Sequence, residues 1–313
     1  MSAHLGPVQT MQPPVPLVCP LCRGRLEFAP SRILCHGCSE AFSYQNGFAD
    51  LIVGGRFDDV LDEVQNEYEE RSNEWLSSQY LIPTLRKLLA GTRRPRVLSL
   101  GCGTGIDIDL LSEAGFDVVG IDNGNRTAVW PHRHHPERLY LANGKHLPFE
   151  AGEFDAVYCG CVFPHVGVEG DSNRVRPDYW TERLSIAMEI GRVLKPGGRA
   201  MVSSPNRLFP VDIFHGRTPD RPYPRLNAPW SRFLLSADDY RRLFAQAGCF
   251  EAQLLPVKGY WGFIRMKQRV KGRLLAFPIE TIFNAVSTEV LRGLRGSPVN
   301  PWIVMCMRKS HAA

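Results

Sequence analysis

The chain has 313 residues, 44% hydrophobic and 22% charged, the proportions of an ordinary soluble globular protein with room for one large domain and a small appendage. Its formal net charge of +5 permits an anionic partner without demanding one. No apolar run reaches the roughly 18 residues of a spanning helix, and nine cysteines, an odd number, suit a reducing cytoplasm better than a disulfide framework.

The first stretch, "MSAHLGPVQTMQPPVPLV", has neither the basic start nor the apolar core of a signal peptide. It is Pro-rich, and residues 1–17 are expected to be disordered. "CPLCRGRLEFAPSRILCHGC" then places Cys19, Cys22, Cys35 and Cys38 as two C-x-x-C pairs separated by twelve residues. Each pair sets two sulfurs on one tight turn, and two turns can close a tetrahedron around Zn²⁺. Gly24 and Gly37 stand where such turns need a residue without a Cβ, and "RLEF" and "SRIL" alternate like two short strands. His36 could replace one thiolate, but the spacing favours the four cysteines. Residues 18–55 are therefore expected to form a zinc ribbon. A metal held by four protein ligands has no open position for water, so its role is structural.

Residues 58–90 are charged, periodic and helical, with Asp58 or Asp59 as a cap and Pro83 opening a second helix. Tyr68, Trp75 and Tyr80 recur along this segment, either as core packing or as a lid over a cofactor.

"RPRVLSLGCGTGIDIDLLSEAGFDVVGID" spans residues 94–122 and reads as strand, glycine turn, helix and second strand. Gly101, Gly103 and Gly105 form G-x-G-x-G; the dinucleotide pattern would need a glycine where Ile106 stands. A phosphate-cradling Lys-Ser/Thr is missing as well, so this is not a P-loop. Asp122 ends the second strand, where a carboxylate can accept both hydroxyls of a ribose.

These residues resemble the class I S-adenosylmethionine-dependent methyltransferases, over roughly residues 60–256. "VLSLGCGTG" is similar to the family's first motif, and Asp122 to its ribose-binding acid. "LANGKHLPFEAGEFDAVYCGCVFPHV" resembles its adenine-contact segment and fourth strand, with Asn143 where an Asp often sits. "EIGRVLKPGGRAMVSSPN" resembles its helix, turn and fifth strand. The resemblance implies an α/β, doubly wound, Rossmann-like fold over residues 56–313. Its seven-stranded, mostly parallel sheet would have strands near 96–100, 117–121, 138–142, 154–159, 199–204, 249–256 and 302–308. It also implies S-adenosylmethionine as cofactor, bound by Gly101, Cys102, Gly103, Gly105, Asp122, Asn123, Asn143, Gly144, Cys159 and Tyr80, since ligands of such sheets lie outside the carboxyl ends of the strands.

The sulfonium of that cofactor is already a strong methyl donor, so alignment can supply much of the rate. A base is needed only if the acceptor carries a proton at attack. His165, after the fourth strand, and His215, after the fifth, are the candidates. Insertions near 167–180 and 257–300 exceed a minimal version of the fold and are expected to shape the acceptor site, which is read as a small, hydrophobic or lipid-like molecule. The second insertion, basic and then amphipathic, also suits peripheral contact with a membrane, or a dimer contact. A cysteine ribbon ahead of this fold resembles ribosomal RNA guanine-N1 methyltransferases too, where the ribbon helps dock RNA. The present ribbon offers Arg23, Arg25 and Arg32 but no lysine, which argues against a nucleic-acid partner.

Overall fold

The computed structural model of the protein describes residues 13–57, 63–124, 126–170, 174–212, 225–227, 230–260 and 270–311. Four short antiparallel strands open the chain: β1 (Leu26–Ala29), β2 (Arg32–Cys35), β3 (Ala41–Gln45) and β4 (Phe48–Asp50). Helix α1 (Glu63–Leu76) runs through a π-helical turn, Ser77–Leu81, into α2 (Ile82–Leu88), with Pro83 in its first turn as expected. The expected caps Asp58 and Asp59 lie outside the described residues. Then come β5 (Arg96–Leu100), α3 (Ile106–Glu113), β6 (Asp117–Asp122), β7 (Leu139–Leu141), β8 (Phe154–Gly160), α4 (Tyr179–Val193) and β9 (Leu194–Pro205). The chain continues with a two-stranded ribbon, β10 (Val211–Asp212) and β11 (Arg225–Leu226), and with α5 (Ala237–Gln246), β12 (Cys249–Leu254), α6 (Val270–Val286) and β13 (Trp302–Lys309).

Among the described residues the main sheet has eleven strands in the order β1-β2-β3-β4-β7-β6-β5-β8-β9-β13-β12. This corrects the expectation of seven. The seven expected strands form the contiguous run from β7 to β12, all parallel except β13. The four N-terminal strands extend it, because β4 lies parallel to β7 with Asp50 opposite Leu141. Without them β7, only three residues long, would present an open edge.

Side chains alternate across the sheet, so each strand feeds two layers. Leu98, Leu100, Ile121 and Val202 pack against Ile186 and Ile190 of α4 and Tyr240 and Leu243 of α5. Val97, Val118, Ala156 and Met201 pack against Leu85, Ile108 and Leu111 from α2 and α3, and Ile279 and Phe283 from α6. Cys19, Ile33 and Cys35 belong to the first layer. The N-terminal strands thus share the main core.

The expected disorder of residues 1–17 fails at its end. Val15 and Leu17 are buried, Leu17 bridges Phe149, and Val18 N–H donates to Pro148 O at 3.0 Å; an apolar surface near Phe149 is there to receive them. Among the described residues no helix is long and apolar enough to cross a membrane.

Candidate functional site

The carboxyl ends of β5, β6, β7 and β8 open into a cleft of about 560 Å³. Its floor is the glycine turn after β5. Gly101 and Cys102 donate their N–H groups to Ile121 O at 2.9 and 3.0 Å, which folds the turn back on β6. Gly101 and Gly103 have φ of 79° and 54°. A β-carbon at Gly101 would collide with Val162, and one at Gly103 with Glu69 of α1. The left-handed backbone favours glycine at both positions, and at Gly101 the stiff Val162 side chain leaves no room for a β-carbon either. Asp122, at the end of β6, accepts from Gly103 N–H at 2.9 Å on one oxygen and from Gly124 N–H at 2.7 Å on the other. These bonds aim the carboxylate at the cleft it lines. Cys161, just past β8, also lines the cleft, at φ 55°, with its N–H on Ser203 O.

Residues 98–202 match the family model described as a methyltransferase domain. A Mycolicibacterium smegmatis protein named for S-adenosylmethionine-dependent methyl transfer is 29% identical over 130 residues, 39% of this chain and 45% of the relative. The ubiquinone biosynthesis O-methyltransferase of Aromatoleum aromaticum is 30% identical over 131 residues, 40% of this chain and 50% of the relative. Human glycine N-methyltransferase is 30% identical over 128 residues, 36% and 41% of the two chains. The chain spans about half or less of the length of these curated relatives. Residues 98–202 are thus similar to a methyltransferase domain.

Of the expected cofactor residues, Gly101, Gly103, Asp122, Asn123, Asn143 and Gly144 line the cleft, together with His165. Two features fit them to a polar ligand. The glycine cradle leaves backbone where β-carbons would stand, and Asn123 Oδ1 is buried without a hydrogen-bond partner while its Nδ2 donates to Gly55 O. Asn143 is tied at both ends: Oδ1 accepts from Lys145 N–H and Nδ2 donates to Val53 O, at 3.0 and 3.1 Å.

Four expected residues lie elsewhere. Cys102 and Cys159 point into the core, and burial raises both thiols. Gly105 sits at φ 77° as the N-cap of α3. Tyr80 is core packing rather than a lid: it is buried, its hydroxyl donates to Pro256 O at 2.6 Å, and its ring meets Tyr260 edge-on. Glu69 of α1 lies beside the glycine turn and pairs with Arg126 at 3.4 Å.

His165 ends a short 3₁₀ turn after β8, with its ring 6.2 Å from both Phe57 and Phe233. His215 lies outside the described residues. From the insertion near 167–180, Gly167, Val168, Gly170 and Arg176 line the cleft. The described part of the insertion near 257–300 does not; its Tyr260, Ile279 and Phe283 pack into the opposite core layer. Sequence reasoning missed Arg56, Phe57, Glu69, Lys145 and Glu182 on the cleft wall. Charge on α1 was the only available signal for Glu69, and Lys145 and Glu182 announce themselves only as a 2.6 Å ion pair.

The four expected cysteines converge. Their sulfurs all lie within 4.8 Å of one another, with Cys19 to Cys38 at 3.7 Å and Cys22 to Cys35 at 3.4 Å. A tetrahedron of Zn–S bonds of about 2.3 Å has edges of about 3.8 Å, so this donor set fits Zn²⁺. Gly24 and Gly37 N–H groups point at Cys22 and Cys35 Sγ, at 3.3 and 3.2 Å. The left-handed positions of the two turns are Arg23 and Ser39. The glycines are needed instead because a β-carbon at either would press on a Cys22 sulfur at 3.0–3.1 Å. His36 is not in the cluster; its Nε2 pairs with Glu27 at 2.9 Å.

Proposed function

We propose that the protein transfers a methyl group from S-adenosylmethionine to a small-molecule acceptor, and that Cys19, Cys22, Cys35 and Cys38 hold a structural Zn²⁺. The observation that carries the cofactor reading is the Asp122 carboxylate, fixed by two backbone N–H groups at the lip of a glycine cradle. When bound, the cofactor supplies an electrophilic methyl group on a sulfonium.

The protein's own groups then have separate tasks. Asp122 keeps a lone pair on each oxygen for the ribose hydroxyls. Asn123 Oδ1 gains the donor it lacks. Glu69, beside the glycine turn, balances the ammonium of the methionine end. The remaining work is alignment, since holding two reactants in line replaces an encounter in solution. His165 lines the cleft, and in this reading its imidazole takes the proton of a protonated nucleophile.

The cleft of about 560 Å³ falls in the range of about 300–1,000 Å³ usual for small ligands and suits the cofactor. The wall beyond the glycine turn is partly apolar, with Val162, Val166 and Val168. Arg23, one of three ribbon arginines that could meet RNA, is turned inward onto Leu147 O and Glu189. The test is incubation of the protein with isotopically labelled S-adenosylmethionine and a cell extract. Label recovered in a low-molecular-weight product supports the reading. Label confined to nuclease-sensitive or protease-sensitive material would overturn it.

A further inference from the structure

The segment that follows the cysteine knuckle does not leave the molecule's surface at once. Leu51 N–H donates to Leu141 O at 2.9 Å, continuing the β4–β7 ladder. Asn143 Nδ2 then donates to Val53 O at 3.1 Å, Asn123 Nδ2 to Gly55 O at 3.1 Å, and Phe57 N–H to Asn123 O at 3.1 Å. Residues 51–57 are thus stitched across the carboxyl ends of β7 and β6, the strands that deliver Asn143 and Asp122. Gly55, Arg56 and Phe57 form a wall of the cleft.

Both side chains on that wall are positioned. Arg56 is held by Gln45 Oε1 at 3.0 Å and by Asp50, residues of β3 and β4. The Phe57 ring stands 6.2 Å from the His165 ring, edge to face, and so bridges the cleft to the β8 loop. The knuckle also grips the opposite side. Val18 N–H donates to Pro148 O at 3.0 Å and Arg23 Nη1 to Leu147 O at 2.6 Å, which pins the loop leaving Asn143 and Gly144. The second cysteine turn feeds directly into β3, with Cys35 N–H on Glu40 O at 2.9 Å.

We propose that Arg56 and Phe57 are cofactor-binding residues contributed by the tail of the cysteine knuckle, and that metal at the four cysteines and S-adenosylmethionine in the cleft bind cooperatively. Metal closes the two cysteine turns. The turns fix β3, β4 and the 147–148 loop, and these hold both walls around the adenosine end of the cleft. Removing the metal frees the tail, and the cofactor must then order it at its own expense. The proposal rests on the cofactor reading given above.

The coupling is reciprocal by thermodynamic necessity. The first measurement is therefore zinc affinity, by competition with a chromophoric chelator, with and without saturating S-adenosylhomocysteine, the unreactive demethylated cofactor. Zinc is expected to be held about fivefold or more tightly in its presence. Equal zinc affinity in both conditions would overturn the proposal. The second measurement is calorimetric titration of S-adenosylhomocysteine into zinc-loaded wild type and Phe57→Ala. The variant is expected to keep one zinc per chain and lose about fivefold or more in affinity. Unchanged affinity removes Phe57 from the site, and with it the link; this arm decides even if the metal-free protein unfolds. Failure of zinc-loaded wild type to bind S-adenosylhomocysteine at all would sink the cofactor reading itself, a distinguishable outcome.

Discussion

Arg23 Nη2 lies 2.8 Å from Glu189 Oε2, so the first cysteine turn is anchored by an ion pair to α4, 166 residues away in sequence. The same carboxylate accepts from Leu147 N–H at 2.8 Å and from Arg192 Nε at 2.7 Å. Burial alone would raise its pKa; the bonds and charges of Arg192 and Arg23 and the Leu147 N–H outweigh that and hold it below the ordinary value of 4.5. A depressed carboxyl contributes stability that is present above its unfolded pKa and is lost as pH falls through the folded one. Glu189→Gln should therefore cost about 3 kcal/mol near neutrality, because the arginines lose their anion. The deficit relative to wild type should shrink in acid, below the unfolded value. Denaturant unfolding at both pH values checks this; a deficit independent of pH would contradict it.

Asp107 behaves oppositely. It lies behind the glycine turn, fully buried, with Ser99 Oγ donating to it at 2.5 Å and its Oδ1 unpartnered. Burial, partly offset by Ser99 and the backbone N–H groups of the α3 first turn, pushes its pKa up from 3.8 to about 7. The folded state then binds more protons than the unfolded one between those values, so this carboxyl makes stability fall as pH rises from about 4 to about 7. Asp107→Asn keeps the shape and the Ser99 bond without the charge. It should flatten that slope and be more stable than wild type above about pH 7, by up to roughly 4 kcal/mol. Thermal melts across this window test it; parallel curves for the two proteins would count against a buried carboxyl.

The cysteine cluster predicts one Zn²⁺ per chain by elemental analysis of the purified protein. Cys22→Ser with Cys38→Ser, the two exposed members, should abolish it. Zinc retained by the double variant would place the metal elsewhere.

Much of this was legible because it is local. The strands near 96–100, 117–121 and 302–308 are apolar runs bounded by turn residues, and they occur as β5, β6 and β13. C-x-x-C spacing placed the sulfurs, and the order Leu100, Gly101, Gly103 placed the cradle. What escaped depends on distant backbone. Nothing in "FADLIVGGRF" says that Asp50 will lie opposite Leu141, and without that register Arg56 and Phe57 cannot be placed on a cleft. Tyr80 was ambiguous for a related reason. Helical periodicity shows that aromatic residues share a segment, but the π-helical turn Ser77–Leu81 decides which face carries them, and it turned Tyr80 onto Tyr260. Its place in a motif makes Asn143 an adenine partner, whereas its side-chain hydrogen bond to Val53 O exists only because the N-terminal strands dock beside it.

His165→Gln should lower kcat by about 10²- to 10⁴-fold with cofactor affinity retained, if its imidazole accepts the acceptor's proton. The pH–rate profile of the variant should also differ from that of wild type. A rate near wild type, with an unchanged profile, would leave alignment as the whole mechanism and require an acceptor that arrives already nucleophilic.

Calorimetry on zinc-loaded protein asks most directly whether the cleft between the glycine turn and Asp122 holds S-adenosylmethionine. Wild type should bind one S-adenosylmethionine per chain. Asp122→Ala, which removes the acceptor for both ribose hydroxyls at roughly 1.5–3 kcal/mol for each charged hydrogen bond, should bind at least about tenfold more weakly with an unaltered circular dichroism spectrum. Equal affinity for the two folded proteins, or no binding by wild type, would contradict the account.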